Sequence, residues 1–362
     1  MINWAQELNR ESFPNKPQEL KVLQTHISYV FIADEIVYKI KKPVNFGFLD
    51  FTTLELRKLY CEKEVELNRR LCPEIYLGTV PISLTKDGYT AEDSSNVIEY
   101  AVKMKRLPEE GMMQKILKDK ALTEKHIDLI VDLLVPFYRS ARTGKGVNKF
   151  GSIETVSFNT EENFTQTEGF VGKALNRWRY NQIVSWTRNF IKEKASLFEK
   201  RIKEGFIREG HGDLYSANIC FDDFKKVYIF DCIEFNERFR SGDVASDIAF
   251  LSMDLDFHDY KELSEYFVKS YVEKSDDRDL LKLLNFYKCY RAYVRGKIGC
   301  FTSMDKALTE KQRKTALKNA QKYFDFAYIY AEGKPKVFVA VSYTHLRAHE
   351  TPEHLVCRLL LE

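Results

Sequence analysis

His211-Gly-Asp213-Leu-Tyr-Ser-Ala-Asn218-Ile-Cys-Phe221, continued by Val227-Tyr-Ile-Phe-Asp231-Cys-Ile-Glu234, is the stretch on which the reading of this 362-residue chain turns. Residues 219–221 form a short apolar run, residues 222–226 a polar turn, and residues 227–230 a second apolar run. That pattern predicts a β-hairpin. Its polar residues take fixed places: Asp213 and Asn218 precede the first strand, and Asp231 closes the second.

Composition bounds what such a hairpin can serve. A chain of 362 residues is long for one core, so two lobes or domains are expected. A hydrophobic content of 44% with 30% charged residues is that of a soluble globular protein. The formal net charge of +3 gives no support to a nucleic-acid surface. No apolar run is long enough to span a bilayer, and residues 1–10 lack a signal-peptide core. The seven cysteines include no Cys-x-x-Cys pair, which argues against a zinc site and for reduced thiols in a cytoplasm.

Taken in order, residues 1–20 predict a short amphipathic helix that stops near Pro14 and Pro17. Two strands follow over residues 26–32 and 36–40. Lys39 lies on the second strand, and Lys41 faces the same side two residues on. Residues 52–71 predict the clearest helix of this half, capped by Thr52 or Thr53 and stopped at Cys72-Pro73. Glu62 and Glu66 share one of its faces. Two more strands over 75–82 and 97–104 complete a small mixed lobe. From Leu107 the pattern turns helical, with helices expected over 123–142, much of 161–203, and about 244–256, 258–274, 278–300 and 306–332. A hinge is expected near 106–111.

The spacing Asp213-x-x-x-x-Asn218 followed by a strand-end Asp231 matches what phosphoryl transfer requires. That reaction passes through a loose transition state, so a protein mainly positions groups and neutralises charge. Asp213 suits the carboxylate beside an incoming hydroxyl. Asn218 and Asp231 offer oxygens to Mg²⁺, a hard ion that keeps several waters. Lys39 on its strand could reach the donor's phosphates, held by Glu62. Lys41 is the rival for the first role and Glu66 for the second. His211 reads as a residue that orients the loop backbone.

These motifs resemble the aminoglycoside phosphotransferase family within the protein-kinase-like fold. The wording Val37-Tyr-Lys-Ile-Lys-Lys-Pro-Val-Asn-Phe-Gly-Phe-Leu-Asp-Phe51 adds to the likeness, as do Leu67-Asn-Arg-Arg-Leu71 with Tyr76-Leu-Gly78, and Ile233-Glu-Phe-Asn-Glu-Arg-Phe239. The resemblance covers roughly residues 20–330. It implies an α+β, two-lobed fold: an N-lobe of residues 1–106 with a small mixed β-sheet and one long helix, and a larger helical C-lobe of residues 107–333 carrying the hairpin. It implies ATP (or GTP) with Mg²⁺ in the cleft, Asp213 as base, Asn218 and Asp231 on the metal, Lys39 on the phosphates and Glu62 as its partner. The adenine would meet the strand around Glu99 to Lys103, and Asp247 would support the catalytic loop.

The chain also departs from these patterns. Thr25-His26-Ile27-Ser28 stands where a Gly-rich phosphate loop would, with the Ser28 hydroxyl as a candidate phosphate contact. Asp231-Cys-Ile replaces Asp-Phe-Gly, which argues against a protein kinase. Glu234, Glu237 and Asp243 are interrupted by Arg238 and Arg240, so the acceptor is expected to be an anionic or neutral small-molecule hydroxyl compound, not a polycation. Residues 334–341 read as a linker and first strand of a truncated P-loop kinase domain, a fusion seen in similar bacterial proteins. Residues 342–362 resemble a translated sequencing adapter, so the natural protein is expected to be longer. A catalytically silent nucleotide-binding module regulating that lost domain is the alternative function.

Overall fold

The computed structural model describes residues 2–223 and 225–332. The expected P-loop strand at 334–341 and the adapter-like tail at 342–362 lie outside the described residues.

Six strands make the first sheet: β1 (Leu20–Gln24), β2 (Ser28–Ala33), β3 (Ile36–Lys41), β4 (Tyr76–Thr85), β5 (Gly88–Ala91) and β6 (Val97–Lys105). Their order is β1-β2-β3-β6-β4-β5, and every adjacent pair is antiparallel. The mixed sheet expected from the sequence is therefore corrected. β3 and β4, joined through a helix, are separated by β6, which runs against both. The short amphipathic helix expected within 1–20 is broken in two: Trp4–Glu7 and the turn Arg10–Ser12 are helical, and β1 follows. Asn9 accepts a bond from Glu11 N and so begins a new turn there, while Pro14 and Pro17 bar a continuous helix.

One face of the sheet buries Trp4, Phe13, Phe31 and Tyr38. The other face is covered by helix Leu54–Asn68, which begins at Thr53, whose hydroxyl accepts from Leu56 N at 3.2 Å. Between helix and sheet lie Cys61, Val65, Tyr76 and Val102, joined by Tyr228 of the hairpin. The helices Glu124–Ser140, Ile153–Thr167, Arg177–Glu193, Val244–Phe257, Lys261–Ser275, Leu280–Ser303 and Glu310–Glu332 build most of the second lobe.

The hairpin pairs strands Ile219–Asp222 and Lys226–Ile229, with Ile219 opposite Ile229. A lone hairpin is marginal in water. Here Ile219, Phe221 and Ile229 are buried with Leu134, Ile248 and Leu251 in the main helical core. Each such side chain contributes about 1.5–3 kcal/mol by leaving water. That burial gives the polar residues at the hairpin's ends a rigid base.

Candidate active site

The loop before the hairpin is fixed by hydrogen bonds to Asp247. Its carboxylate accepts from His211 N at 2.8 Å and Gly212 N at 3.2 Å, and is held by Tyr138 Oη at 2.9 Å and Arg291 Nη2 at 3.1 Å. His211, fully buried, accepts from Asp213 N through Nδ1 at 3.2 Å and faces the carbonyl of Phe230 through Nε2 at 3.0 Å. Those partners require a neutral ring with its proton on Nε2. Burial lowers its pKa, which favours the same state.

Asp213 lines the cleft. Asn218 Nδ2 donates to the Asp213 carbonyl at 2.9 Å and to its Oδ2 at 3.0 Å. Both partners are acceptors, so the amide nitrogen must point there and Oδ1 is turned away. Burial pushes the Asp213 carboxyl up to about 6, helped by nearby Asp231 and opposed by Arg295 and Arg291. Phe230 N donates to the Asn218 carbonyl at 3.0 Å, which places Asp231 one residue beyond Asn218's neighbour across the hairpin. Asp231 takes a left-handed backbone, φ 61°, uncommon for a residue with a side chain and frequent at functional positions.

Lys39 comes from β3 and lines the same cleft. Its Nζ lies 2.9 Å from Glu64 Oε1 and 2.7 Å from Asp231 Oδ1. Lys41, two residues on, is 1% exposed and bonds Glu64 Oε2 at 2.6 Å and Glu234. Of the two rival lysines, Lys39 borders the cleft and Lys41 is buried. Burial would lower both pKa values, yet the facing carboxylates outweigh it and raise them. Glu64 is held low by the two lysines despite its burial, whereas burial prevails at Glu234 and raises it. Partial desolvation in the cleft likewise opposes ionisation of Asp231, and Lys39 overrides it.

Three sequence expectations are corrected here. The carboxylate facing Lys39 is Glu64, not Glu62. Glu62 is exposed and lies 3.9 Å from Lys58, and Glu66 is exposed as well. The buried stripe of the helix is Arg57, Cys61, Glu64, Val65 and Asn68, whose spacing is that of one helical face. Glu99 is not at the cleft. It is 3% exposed and bonded by Arg57 Nε at 2.9 and 2.8 Å, because β6 runs on to Lys105 before the chain leaves the sheet. Ser28 is buried opposite Lys41, and among the described residues its hydroxyl has no partner. Thr25 and Ile27 of that turn reach the cleft instead.

Sequence reading also missed the residues that join the lobes. Asn68 Oδ1 accepts from Cys232 N at 2.9 Å, and Arg70 donates to the carbonyls of Glu209 and Gly210 at 3.0 Å each. A polar residue in phase with a buried stripe, such as Glu64 or Asn68, was the available signal. Of the two arginines expected near the acceptor, Arg240 is 8% exposed and spent on Glu209 at 2.9 Å. Arg238 lines the cleft.

No family model matches the chain. Two mycobacterial proteins described as uncharacterised, from Mycobacterium tuberculosis (strain H37Rv) and Mycobacterium bovis, are each 32% identical over 281 residues. That alignment takes in 78% of this chain and 55% of each relative, so the chain spans about half the length of the curated relatives it matches. Among solved structures, an ethanolamine kinase of Plasmodium vivax aligns with a TM-score of 0.50 at 12% identity, over 87% of this chain and 83% of that one. The chain has the two-lobed protein-kinase-like fold. In this kinase-like fold the cleft, ≈ 670 Å³, is bordered by Lys39 on one side and by Asp213 and Asp231 on the other.

Among the described residues Asp231 Oδ2 and Asp213 Oδ1 at the cleft carry no hydrogen bond, nor does Oδ1 of Asn218, whose Nδ2 is bonded to Asp213. The Asp231 side chain is 46% exposed toward the cleft. Lys39 and Lys41 face three carboxylates, Glu64, Asp231 and Glu234, leaving one negative charge in excess. That donor set fits a hard divalent cation that takes few protein ligands. No cluster of three His, Cys, Asp or Glu side chains suited to a metal exists among the described residues. No helix among them is long and apolar enough to cross a membrane.

Proposed function

We propose that this chain is a member of the aminoglycoside phosphotransferase family that transfers the γ-phosphoryl group of ATP or GTP to a hydroxyl of a small molecule in the cytoplasm. The observation that carries the reading is that Asp213, bonded by Asn218, and Asp231 border one cleft with Lys39, which pairs with Asp231 and with Glu64 from a separate helix.

In the proposed step Asp213 takes the proton of the acceptor O–H. The acceptor oxygen bonds to the γ-phosphorus as the bond from phosphorus to the β–γ bridging oxygen breaks, and the nucleoside diphosphate leaves with that electron pair. With its carboxyl near 6, Asp213 is roughly nine-tenths ionised at pH 7, yet it is basic enough to share a proton in the transition state. Lys39 offers its ammonium to the donor phosphates, and Glu64 holds it against the pull of Asp231. Asn218 and Asp231 are the residues suited to hold Mg²⁺, which when bound neutralises phosphate charge.

Asp213→Asn is expected to abolish phosphoryl transfer to an accepted hydroxyl compound while nucleotide affinity, measured by calorimetry, stays within about threefold. Transfer that survives the substitution rules out Asp213 as base. The alternative reading is a catalytically silent nucleotide-binding module that controls a fused P-loop kinase domain. Nucleotide binding without transfer to any member of a hydroxy-metabolite panel would select it.

A further inference from the structure

Away from Asp213 and Asp231 the same cleft has the opposite charge balance. Arg238 there sits between the rings of Phe158 and Phe239, 4.9 and 4.8 Å from their centroids. It donates to Asn159 Oδ1 at 2.7 Å and to both oxygens of Glu162 at 3.2 and 3.0 Å. Lys297 enters from helix Leu280–Ser303, and its Nζ meets Asn163 Oδ1 at 2.5 Å and Gln166 Oε1 at 2.8 Å. Both partners are neutral carbonyls, and among the described residues no carboxylate lies within 4.0 Å of that ammonium. Arg238, Glu162, Asn163, Gln166 and Lys297 all line the cleft.

Two cations therefore face one carboxylate, and both oxygens of that carboxylate are already taken by Arg238. An ammonium drawn out of water without a counter-charge is costly. Burial pulls Lys297 down to about 8, with Arg238 adding to the effect and Glu162 opposing it. An anion placed there would supply the missing charge through short, charge-assisted bonds. A cationic ligand would find no free carboxylate at this end. Phe46 and Phe48, exposed on the loop after β3, also line the cleft, and Phe48 lies 6.0 Å from Phe239, which stacks on Arg238.

We infer that the acceptor is a hydroxyl compound bearing an acidic group, a carboxylate or a phosphate ester, which Lys297 and Arg238 bind while its hydroxyl is presented to Asp213. The inference rests on the phosphotransferase reading, but it is tested as binding and so fails separately from it.

The probes are four compounds with one hydroxylated body: gluconate, glucose 6-phosphate, glucose and glucosamine. Each is titrated calorimetrically into the full chain saturated with Mg²⁺ and a non-hydrolysable ATP analogue. At least one of the two anions is expected to bind tenfold or more tightly than glucose and glucosamine. Which anion wins separates a carboxylate site from a phosphate site. Lys297→Met and Arg238→Met are each expected to reduce that preference at least fivefold, while Lys297→Arg, which restores the charge, retains it. Equal or tighter binding of glucose or glucosamine overturns the inference, as does binding of neither anion. A preference that survives both methionine variants overturns it too, and so does a loss of nucleotide affinity in those variants in place of anion affinity. Absence of Asp213-dependent transfer to any acceptor would instead remove the parent reading.

Discussion

Lys39 and Lys41 stand two residues apart on one strand and share the carboxylate of Glu64, but Lys39 is 15% exposed and pairs with Asp231, whereas Lys41 is 1% exposed and pairs with Glu234. That difference assigns them separate tasks. Lys39→Met removes a cation from the cleft wall but leaves Glu64 held by Lys41, so turnover is expected to fall by about 10²–10³-fold with a small change in melting temperature. Lys41→Met leaves Glu64 to Lys39 alone and Glu234 buried without the cation bonded to it, at a cost of about 3–5 kcal/mol of stability. Thermal unfolding and steady-state kinetics of the two variants separate these outcomes; equal destabilisation would refute the division. At Asp213 the raised carboxyl sets the sign of the pH dependence. The base is protonated below about 6, so kcat/KM should fall as pH drops through that value and level off above it. The same shift means that the folded state binds the proton more tightly than the unfolded chain. Its contribution to stability is therefore largest at low pH and is lost as pH rises through about 6. A pH–rate profile with no inflection near 6 would show that Asp213 is not the titrating group.

At the scale of the element, the loop that carries Asp213 depends on a glycine. Gly212 adopts φ 84°, and a Cβ built there would lie 2.7 Å from the Phe239 carbonyl oxygen and 2.8 Å from Arg240 Cα. Gly212→Ala is therefore strained twice, by its own backbone and by a backbone neighbour that cannot rotate away. A loss of about 1–3 kcal/mol follows from the dihedral alone, with the clash added, and turnover should fall with it because Asp213 is the next residue. Chemical denaturation measures the first effect, and unchanged stability would contradict the geometry. The helix Leu54–Asn68 shows how periodicity selects function: the same helix carries an exposed Glu62 and a buried Glu64, and only the second is in phase with Cys61 and Val65.

Across the whole molecule, the lobes are tied at the back of the cleft by three contacts from the sheet side: Asn68 to Cys232, Arg70 to the carbonyls of Glu209 and Gly210, and Lys41 to Glu234. Arg70→Ala removes the two hydrogen bonds to these carbonyls, each contributing about 1.5–3 kcal/mol, and the contact with Cys232 Sγ. It should raise the nucleotide KM more than it lowers kcat, because the lobes lose part of their fixed spacing. A fall in kcat at unchanged KM would speak against that role. Within the sequence itself, the hairpin, its four polar residues and Lys39 were legible, because turn chemistry, two-residue alternation and fixed local spacing are properties of neighbours along the chain. So were most of the long helices, whose apolar stripes repeat over many turns. The antiparallel strand order, the exclusion of Glu62 and Glu99 from the cleft, the choice between two adjacent lysines and the unpaired charge at Lys297 were not. Each of those depends on a partner tens to hundreds of residues away, as Lys39 and Asp231 are 192 residues apart in sequence and 2.7 Å apart in space. Charge becomes decisive only after packing has removed the water around it, and that step belongs to the tertiary structure.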